Sequence, residues 1–238
     1  MQTGGATRYD EFADFYVNAV GDDVSDSVAA ELLELTGELR RAQVLDLACG
    51  QGRISRELAR RGATVVGADI STKLLDKARA VEDAERLGIA YVYVDVAATD
   101  ALANEMFDGV VCHFGLSDID ELPGALATVS RVLKGGGWFV FSIVHPCFPG
   151  CGPATPSSWP PGRGYYAEGW WLADSPGFRG QVGANHRTLA TYLNLLREQG
   201  LAVERVSEPA PDTAWLEAKN ADEAVPLYLV VRCRKTTA

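Results

Sequence analysis

Asp46, Asp69 and Asp95 each close an apolar run of the chain. Asp46 leads into Leu47-Ala48-Cys49-Gly50-Gln51-Gly52, a tight glycine turn, and Arg53 then opens an amphipathic stretch. Strand, glycine turn and helix form the corner with which α/β proteins hold a nucleotide. The dinucleotide version of that corner carries a third glycine where this chain has Ser55, and its pyrophosphate would be repelled by a carboxylate at position 46. A carboxylate there suits a cationic ligand instead. Asp69 follows Asp46 by 23 residues, the interval at which an acidic side chain takes both hydroxyls of a ribose. A lone aspartate after a strand is equally an ordinary helix cap. Three in order, together with the glycine turn, point to a nucleoside site.

The chain has three histidines. His113 and His145 each end a predicted strand, and His186 stands beside Arg187 at the far end of a loop-rich segment. Histidine commonly serves as a general base near neutral pH, so His145 and His113 are the candidate catalytic residues. His145 also opens the loop-rich segment and is a candidate substrate contact, as are His186 and Arg187, the latter for an acidic group. His145, Cys147 and Cys151 carry metal-ligating side chains, but no second C-x-x-C pair accompanies them, and no metal is expected. The five cysteines are odd in number and scattered, which is not a disulfide framework.

These residues need elements to position them. Tyr9, Phe12, Ala13, Tyr16 and Val17 fall on one helical face, and residues 22–39 form a second amphipathic helix. From residue 43 the pattern predicts strands at 43–48, 64–69, 90–95, 107–114 and 138–144. Helices at 53–62, 71–88 and 120–137 separate them, and a short helix precedes the fourth strand. Val- and Ile-rich strands alternating with helices predict an α/β fold, a parallel sheet covered on both faces, with ligands at the carboxyl ends of the strands. A helix at 188–200 and strands at 201–207 and 225–233 follow, with a proline- and acid-rich connector at 208–224.

Residues 145–187 break this alternation with eight glycines and seven prolines, so no long regular element fits. They nevertheless carry Phe148, Trp159, Tyr165, Tyr166, Trp170, Trp171 and Phe178. A disordered linker is poor in aromatics, so the segment reads as a lid or binding wall. Trp159, Tyr165 and Trp170 are candidate contacts for a flat apolar acceptor. The chain divides accordingly into N-terminal helices at 1–42, a core at 43–144, the covering insert at 145–187 and a C-terminal helix and strands at 188–238.

With 238 residues and a net charge of −10, the chain is an ordinary globular protein, and its acidity argues against nucleic acid or an anionic membrane surface as partner. The longest apolar run, 138–144, is far too short to span a bilayer, and the first 30 residues show no signal peptide. A cytoplasmic monomer or homodimer is expected.

The ordered motifs resemble the class I S-adenosylmethionine-dependent methyltransferases, particularly the bacterial small-molecule branch of natural-product and ubiquinone type. Asp46 to Gly52 match the first motif with Ala48 in place of its first glycine, Asp69 matches the second acidic position, and Asp95 the adenine-side one. "FDGVVCHFGLSDI" (107–119) and "VLKGGGWFVFS" (132–142) match the fourth and fifth strand motifs. The resemblance covers residues 9–144, extends more loosely to the C-terminal part, and names nothing in 145–187. It implies a Rossmann-like seven-stranded, mostly parallel sheet sandwiched by helices, with the aromatic-rich insert after strand five. It implies S-adenosylmethionine as cofactor and S-adenosylhomocysteine as product. Asp46 would then suit its cationic methionine end, Asp69 the ribose hydroxyls, and Asp95 with the Val96 amide the adenine, with Ala48, Gly50, Gly52, Arg53, Ile70 and His113 as further cofactor contacts. Tyr9 and Tyr16 resemble N-terminal tyrosines that close over the methionine part. His113 stands where amine-methylating relatives carry Asn or Asp in an NPPY signature, which is absent here. The implied activity is methyl transfer to an oxygen or nitrogen of a small aromatic or heteroaromatic metabolite. The alternatives are a nicotinamide-dependent oxidoreductase, or a sensor or cyclase that binds S-adenosylmethionine without transferring its methyl.

Overall fold

A computed structural model describes residues 6–98, 100–151, 155–174, 177–211, 213, 216–217 and 225–237. Val44, Leu45 and Leu47 are fully buried at its centre, as a strand covered on both faces requires. That strand, β1 (Gln43–Leu47), lies between β2 (Thr64–Asp69) and β4 (Phe107–His113), and β3 (Ala90–Tyr93) pairs outside β2. Beyond β4 follow β5 (Leu133–Val144), then β9 (Tyr228–Lys235) and finally β8 (Leu201–Ser207). The seven-stranded order is β3-β2-β1-β4-β5-β9-β8, parallel except for β9, which runs antiparallel to both neighbours. The chain leaves β1 toward β2 on one side and crosses to β4 on the other. The crevice at their carboxyl ends is therefore the ligand position of an open α/β sheet.

Side-chain alternation along β5 assigns the two faces. Phe139, Phe141 and Ile143 join the core under α6 (Leu122–Val132) and α8 (Leu189–Glu198). Trp138 and Val140 join the opposite core with α3 (Ser27–Thr36), α4 (Arg53–Arg60) and α5 (Thr72–Glu85). Caps set two of these starts: Asp26 accepts from the Val28 and Ala29 amides, and Ser71 from the Leu74 amide.

Four local expectations are corrected. The N-terminal helix is two, α1 (Ala6–Glu11) and α2 (Ala13–Val20), broken at Phe12, whose backbone leaves the helical region. The second amphipathic helix spans only Ser27–Thr36, because it starts at its Asp26 cap and stops at Gly37. The glycines after α6 do not end a helix. They lie in β5, where the pairing with β4 slips between Phe107 and Gly109, and the extra residues fold into that irregularity. Among the described residues between β3 and β4 there are turns and no helix. The segment after β5 carries a short antiparallel pair, β6 (Gly169–Trp171) and β7 (Ala184–His186), with α7 (Phe178–Gln181) between them. Most of the 208–224 connector lies outside the described residues.

Candidate functional site

At the carboxyl ends of β1, β2 and β4 lies a cavity of about 1250 Å³. Its floor is the turn after β1, with Ala48, Gly50 and Arg53. Asp69 and Ile70 form one wall, Asp95 and Val96 continue it, and His113 stands opposite at the end of β4. Ala48 has φ +56°, in the left-handed region, which explains why a glycine is at home in that position of the motif. Gly50 faces Tyr16: a Cβ there would touch the Tyr16 ring at 3.5 Å, in the gap between turn and roof.

Asp69 organises the turn as well as facing the cavity. It accepts from the Gly50 amide at 2.7 Å and the Ser71 amide at 2.8 Å. Burial raises its carboxyl against these bonds. Asp95 accepts from the Ala97 amide at 3.0 Å.

Two expected contacts are absent from the cavity wall. Asp46 lies beneath the turn, 1% exposed, and accepts from the Ser55 hydroxyl at 2.5 Å. Burial pushes its carboxyl up to about 7, and the Asp69 charge adds to the rise. Its role is to hold α4 to β1 through Ser55, the residue that replaces the third glycine. Gly52 (φ +81°) makes room for a neighbour rather than a ligand, since a Cβ would fall well inside 3.0 Å of the Tyr91 ring.

His113 lines the cavity with both ring nitrogens engaged. The Arg53 guanidinium, which can only donate, lies 2.7 Å from Nε2, so the proton is assigned to Nδ1, 2.8 Å from Ser142 Oγ. Arg53 also bonds the Asp23 carbonyl and pairs with Asp26 at 3.6 Å, tying the N-terminal segment to the floor. Burial, then the Arg53 charge, pushes His113 from its ordinary 6.5 to about 3. His113 is thus held neutral, with the lone pair of Nε2 turned to Arg53. Its contribution to stability is complete above pH 6.5 and is lost as pH falls toward 3. Asp46 acts oppositely: its raised carboxyl contributes fully below 3.8 and loses that contribution as pH rises toward 7. Urea titrations at several pH values should therefore show the native chain gaining on His113→Gln as pH rises to 6.5, by up to about 1.4 kcal/mol per pH unit. Parallel curves would show that the fold does not hold His113 neutral.

His145 lies outside the cavity wall. Its Nδ1 accepts from the Cys147 amide at 3.1 Å and its Nε2 faces Glu208 at 3.1 Å. Burial lowers its pKa, with Glu208 opposing. The pair holds the start of the connector, where Ala210 and Pro211 close the cavity's edge. The expectation of a catalytic base or substrate contact at His145 is corrected accordingly. Trp159, Tyr165 and Trp170 also miss the cavity. Trp159 and Tyr165 pack edge-on around the His186 ring, and His186 Nε2 donates to the Tyr165 carbonyl at 2.6 Å. In a segment with so little regular backbone these half-buried aromatics pack on one another, beside a small buried cluster of Trp171, Ala173 and Ala184. Trp170 lies under Arg8 at 5.9 Å. Arg187 donates to the carbonyls of Leu116, Ile119 and Asp120, so it staples the loop after β4 instead of gripping an acidic ligand.

The roof contains residues that motif spacing did not single out. Tyr9, Tyr16 and Phe178 form an aromatic triangle with centroids 5.6 to 6.0 Å apart. Asp118 accepts from the Tyr9 hydroxyl at 2.8 Å and from Arg179 at 2.6 Å. This joins α1, the loop after β4 and α7 above the cavity. Burial, with Asp118 adding, holds the Tyr9 hydroxyl protonated well past its ordinary range. Asp118 lies within "HFGLSDI", whose position after strand four was its one available signal, and Phe178 was one of the aromatics of the covering segment. Arg179 carried no signal.

The donor set excludes a pyrophosphate and accepts a cationic nucleoside. The cavity's lining cations are Arg53 and Arg179, both already paired, against the carboxylates of Asp26, Asp69, Asp95, Asp118, Asp120 and Glu121. Ile70, Leu74, Val94 and Val96 offer an apolar slot for a base beside them. S-adenosylmethionine, a sulfonium with a ribose and an adenine, fits that arrangement.

Comparison with known proteins agrees. A family described as a methyltransferase domain matches residues 45–141. The crystal structure of an S-adenosylmethionine-dependent methyltransferase from Mesorhizobium loti is 30% identical, with a TM-score of 0.71, over 88% of this chain and 98% of that one. A ubiquinone biosynthesis O-methyltransferase of Nitrosomonas europaea is 31% identical over 114 residues, 47% of this chain and 48% of its own length. A demethylmenaquinone methyltransferase of Thermobifida fusca is 40% identical over 109 residues, 44% and 43% of the two chains. The matches thus span about half the length of these curated relatives. The chain belongs to the S-adenosylmethionine-dependent methyltransferases. The nicotinamide alternative falls with that membership. No helix among the described residues is long and apolar enough to cross a membrane.

Proposed function

We propose that the protein methylates an oxygen or nitrogen of a small ring-bearing acceptor. The observation that carries this reading is the continuity of the cavity. One space runs from the motif residues Gly50, Asp69 and Asp95 to Phe178 and Arg179 of the 145–187 segment and to Tyr228 of β9. The aromatic side chains Phe114, Phe178 and Tyr228 face that space and suit a flat acceptor. Relatives named for ubiquinone biosynthesis and demethylmenaquinone support a small-molecule acceptor.

S-adenosylmethionine, when bound, supplies an electrophilic methyl group on a sulfonium. Asp69 and Ile70 would hold the ribose, Asp95 and the Val96 amide the adenine, and Gly50, Arg53 and Tyr16 the methionine end. The rest of the chain's work is placement. Holding two reactants in line contributes up to about 7–11 kcal/mol, and the Tyr9–Tyr16–Phe178 roof keeps water from the reacting atoms. Neither His113 nor His145 is placed to take a proton from the acceptor, so orientation rather than a dedicated histidine base drives the transfer.

Calorimetry with S-adenosylhomocysteine tests the cofactor assignment. Asp69→Ala should weaken binding at least tenfold, with Asp69→Asn intermediate because its amide keeps one acceptor oxygen for the turn. Unchanged affinity in Asp69→Ala would remove Asp69 from the site. Incubation of S-adenosylmethionine with candidate acceptors tests the reaction itself. Tight binding with no S-adenosylhomocysteine formed would favour the sensor or cyclase reading.

A further inference from the structure

A second, smaller space of about 130 Å³ lies against the main cavity. The two share Val144, Thr155, Pro156, Arg179 and Tyr228, so one wall divides them. We infer that this side chamber is the acceptor-recognition subsite, that it admits one uncharged six-membered ring, and that Tyr228 sets the size limit. The inference rests on the methyltransferase reading above and deepens it by assigning the acceptor class.

Volume is the first argument. A cavity of about 150 Å³ holds a benzene ring, and the chamber is slightly smaller. One ring fills it and a fused pair does not. Shape is the second. Phe148, Trp171 and Leu227 give it apolar walls, and the Tyr228 ring adds a flat one where the chamber meets the main cavity. Tyr228 is itself braced edge-on by Phe114 at 5.6 Å, so the divider is held from the cavity side.

Charge is the third. Two guanidiniums border the chamber, yet both are committed. Arg179 donates to Asp118 at 2.6 Å and to the Gly183 carbonyl at 2.8 Å. Arg187 donates to three backbone carbonyls of the loop after β4. His186 donates to the Tyr165 carbonyl. The N–H groups that make these bonds are turned to the protein, and a neutral ring leaves every one of them in place. Ser117 and Asn185 also stand on the wall, Ser117 accepting a long 3.3 Å bond from Arg179 and Asn185 donating to Asp120 at 2.8 Å, and a hydroxyl on the ring would meet the Ser117 oxygen. The ring's reactive substituent would then project past Tyr228 into the main cavity, toward the motif residues.

Phenol and 2-naphthol serve as probes, titrated by calorimetry into protein saturated with S-adenosylhomocysteine. Phenol should bind, and 2-naphthol at least tenfold more weakly. Ala184→Leu places extra methyl groups in the chamber, where Ala184 is 6% exposed, and should reduce phenol affinity at least tenfold while S-adenosylhomocysteine affinity is unchanged. Tyr228→Ala should remove the discrimination against 2-naphthol. Absent phenol binding, equal affinity for the two probes in the native chain, or unaltered phenol binding in Ala184→Leu would each overturn the subsite. Failure of S-adenosylhomocysteine itself to bind would instead overturn the cofactor site on which the inference rests.

Discussion

Asp118→Ala is expected to destabilise the protein by about 3 kcal/mol and to weaken S-adenosylhomocysteine binding more than tenfold. Removing one partner of a buried ion pair costs about 3–5 kcal/mol, because the remaining charge stays desolvated without compensation. Arg179 is in that position, with its side chain 16% exposed and its Asp118 partner 19% exposed. It keeps the Gly183 carbonyl and a longer bond to Ser117, which places the expected loss at the lower end. Tyr9 loses its acceptor in the same step, which leaves Arg8, bonded to Asp120 at 2.7 Å and to the backbone carbonyl of residue 118 at 3.3 Å, to hold α1 to the loop after β4. Urea denaturation and calorimetry measure the two effects separately. Adding Arg179→Met to Asp118→Ala should recover part of the stability, since it removes the orphaned charge, while binding stays weak. If Asp118→Ala melts within about 0.5 kcal/mol of the native chain and binds normally, the roof is not held through this carboxylate.

Gly124→Ala is expected to destabilise the fold, against the helix propensity of the substitution. Alanine is favoured over glycine inside a helix by about 1 kcal/mol. Gly124 is in α6, but a Cβ there would stand well inside 3.0 Å of the Ala97 carbonyl oxygen. The obstacle is backbone, which cannot swing aside as a side chain does. Either α6 or the turn carrying Asp95, Val96 and Ala97 must move, and overpacking of this kind costs about 1–3 kcal/mol. Because those three residues line the cavity, the affinity for S-adenosylhomocysteine should fall with the stability. A variant more stable than the native chain would show that α6 does not approach the turn so closely.

The fold was largely legible in the order of residues. Strand and helix periodicity placed β1, β2 and β4 to within a residue or so, because each is defined by which of its consecutive residues are buried, and placed the largely exposed β8 equally well. Misjudged ends have local causes that periodicity does not register. The break at Phe12 and the irregular pairing of Phe107 to Gly109 with Leu133 to Trp138 depend on packing partners elsewhere in the chain. In the cofactor motif, Ala48, Gly50, Arg53, Asp69, Ile70, Asp95, Val96 and His113 were brought to one cavity together with Tyr9 and Tyr16. Asp46 and Gly52 belong to the same motif but support it from behind.

The chemistry of single side chains was far less legible. A histidine at a strand end looks like a base until its partners are known. The Arg53 guanidinium occupies the lone pair of His113, and the Cys147 amide with Glu208 occupies both nitrogens of His145. The aromatics of 145–187 looked like a wall for an acceptor, yet Trp159 and Tyr165 pack edge-on around His186, whereas Phe178 reaches the cavity.

By itself the sequence determined the turn after β1, the acidic residues at the strand ends and the class of cofactor they suit. These depend on neighbours along the chain, and covalent connection carries that information directly. Only the tertiary structure decided which polar groups satisfy one another, as when Tyr9 meets Asp118 across 109 positions and Asp118 meets Arg179 across 61. A buried donor or acceptor is quenched by whichever partner the fold brings within hydrogen-bond distance. That pairing, and with it the roles of His113, His145 and Tyr228, exists only once distant segments have been brought together.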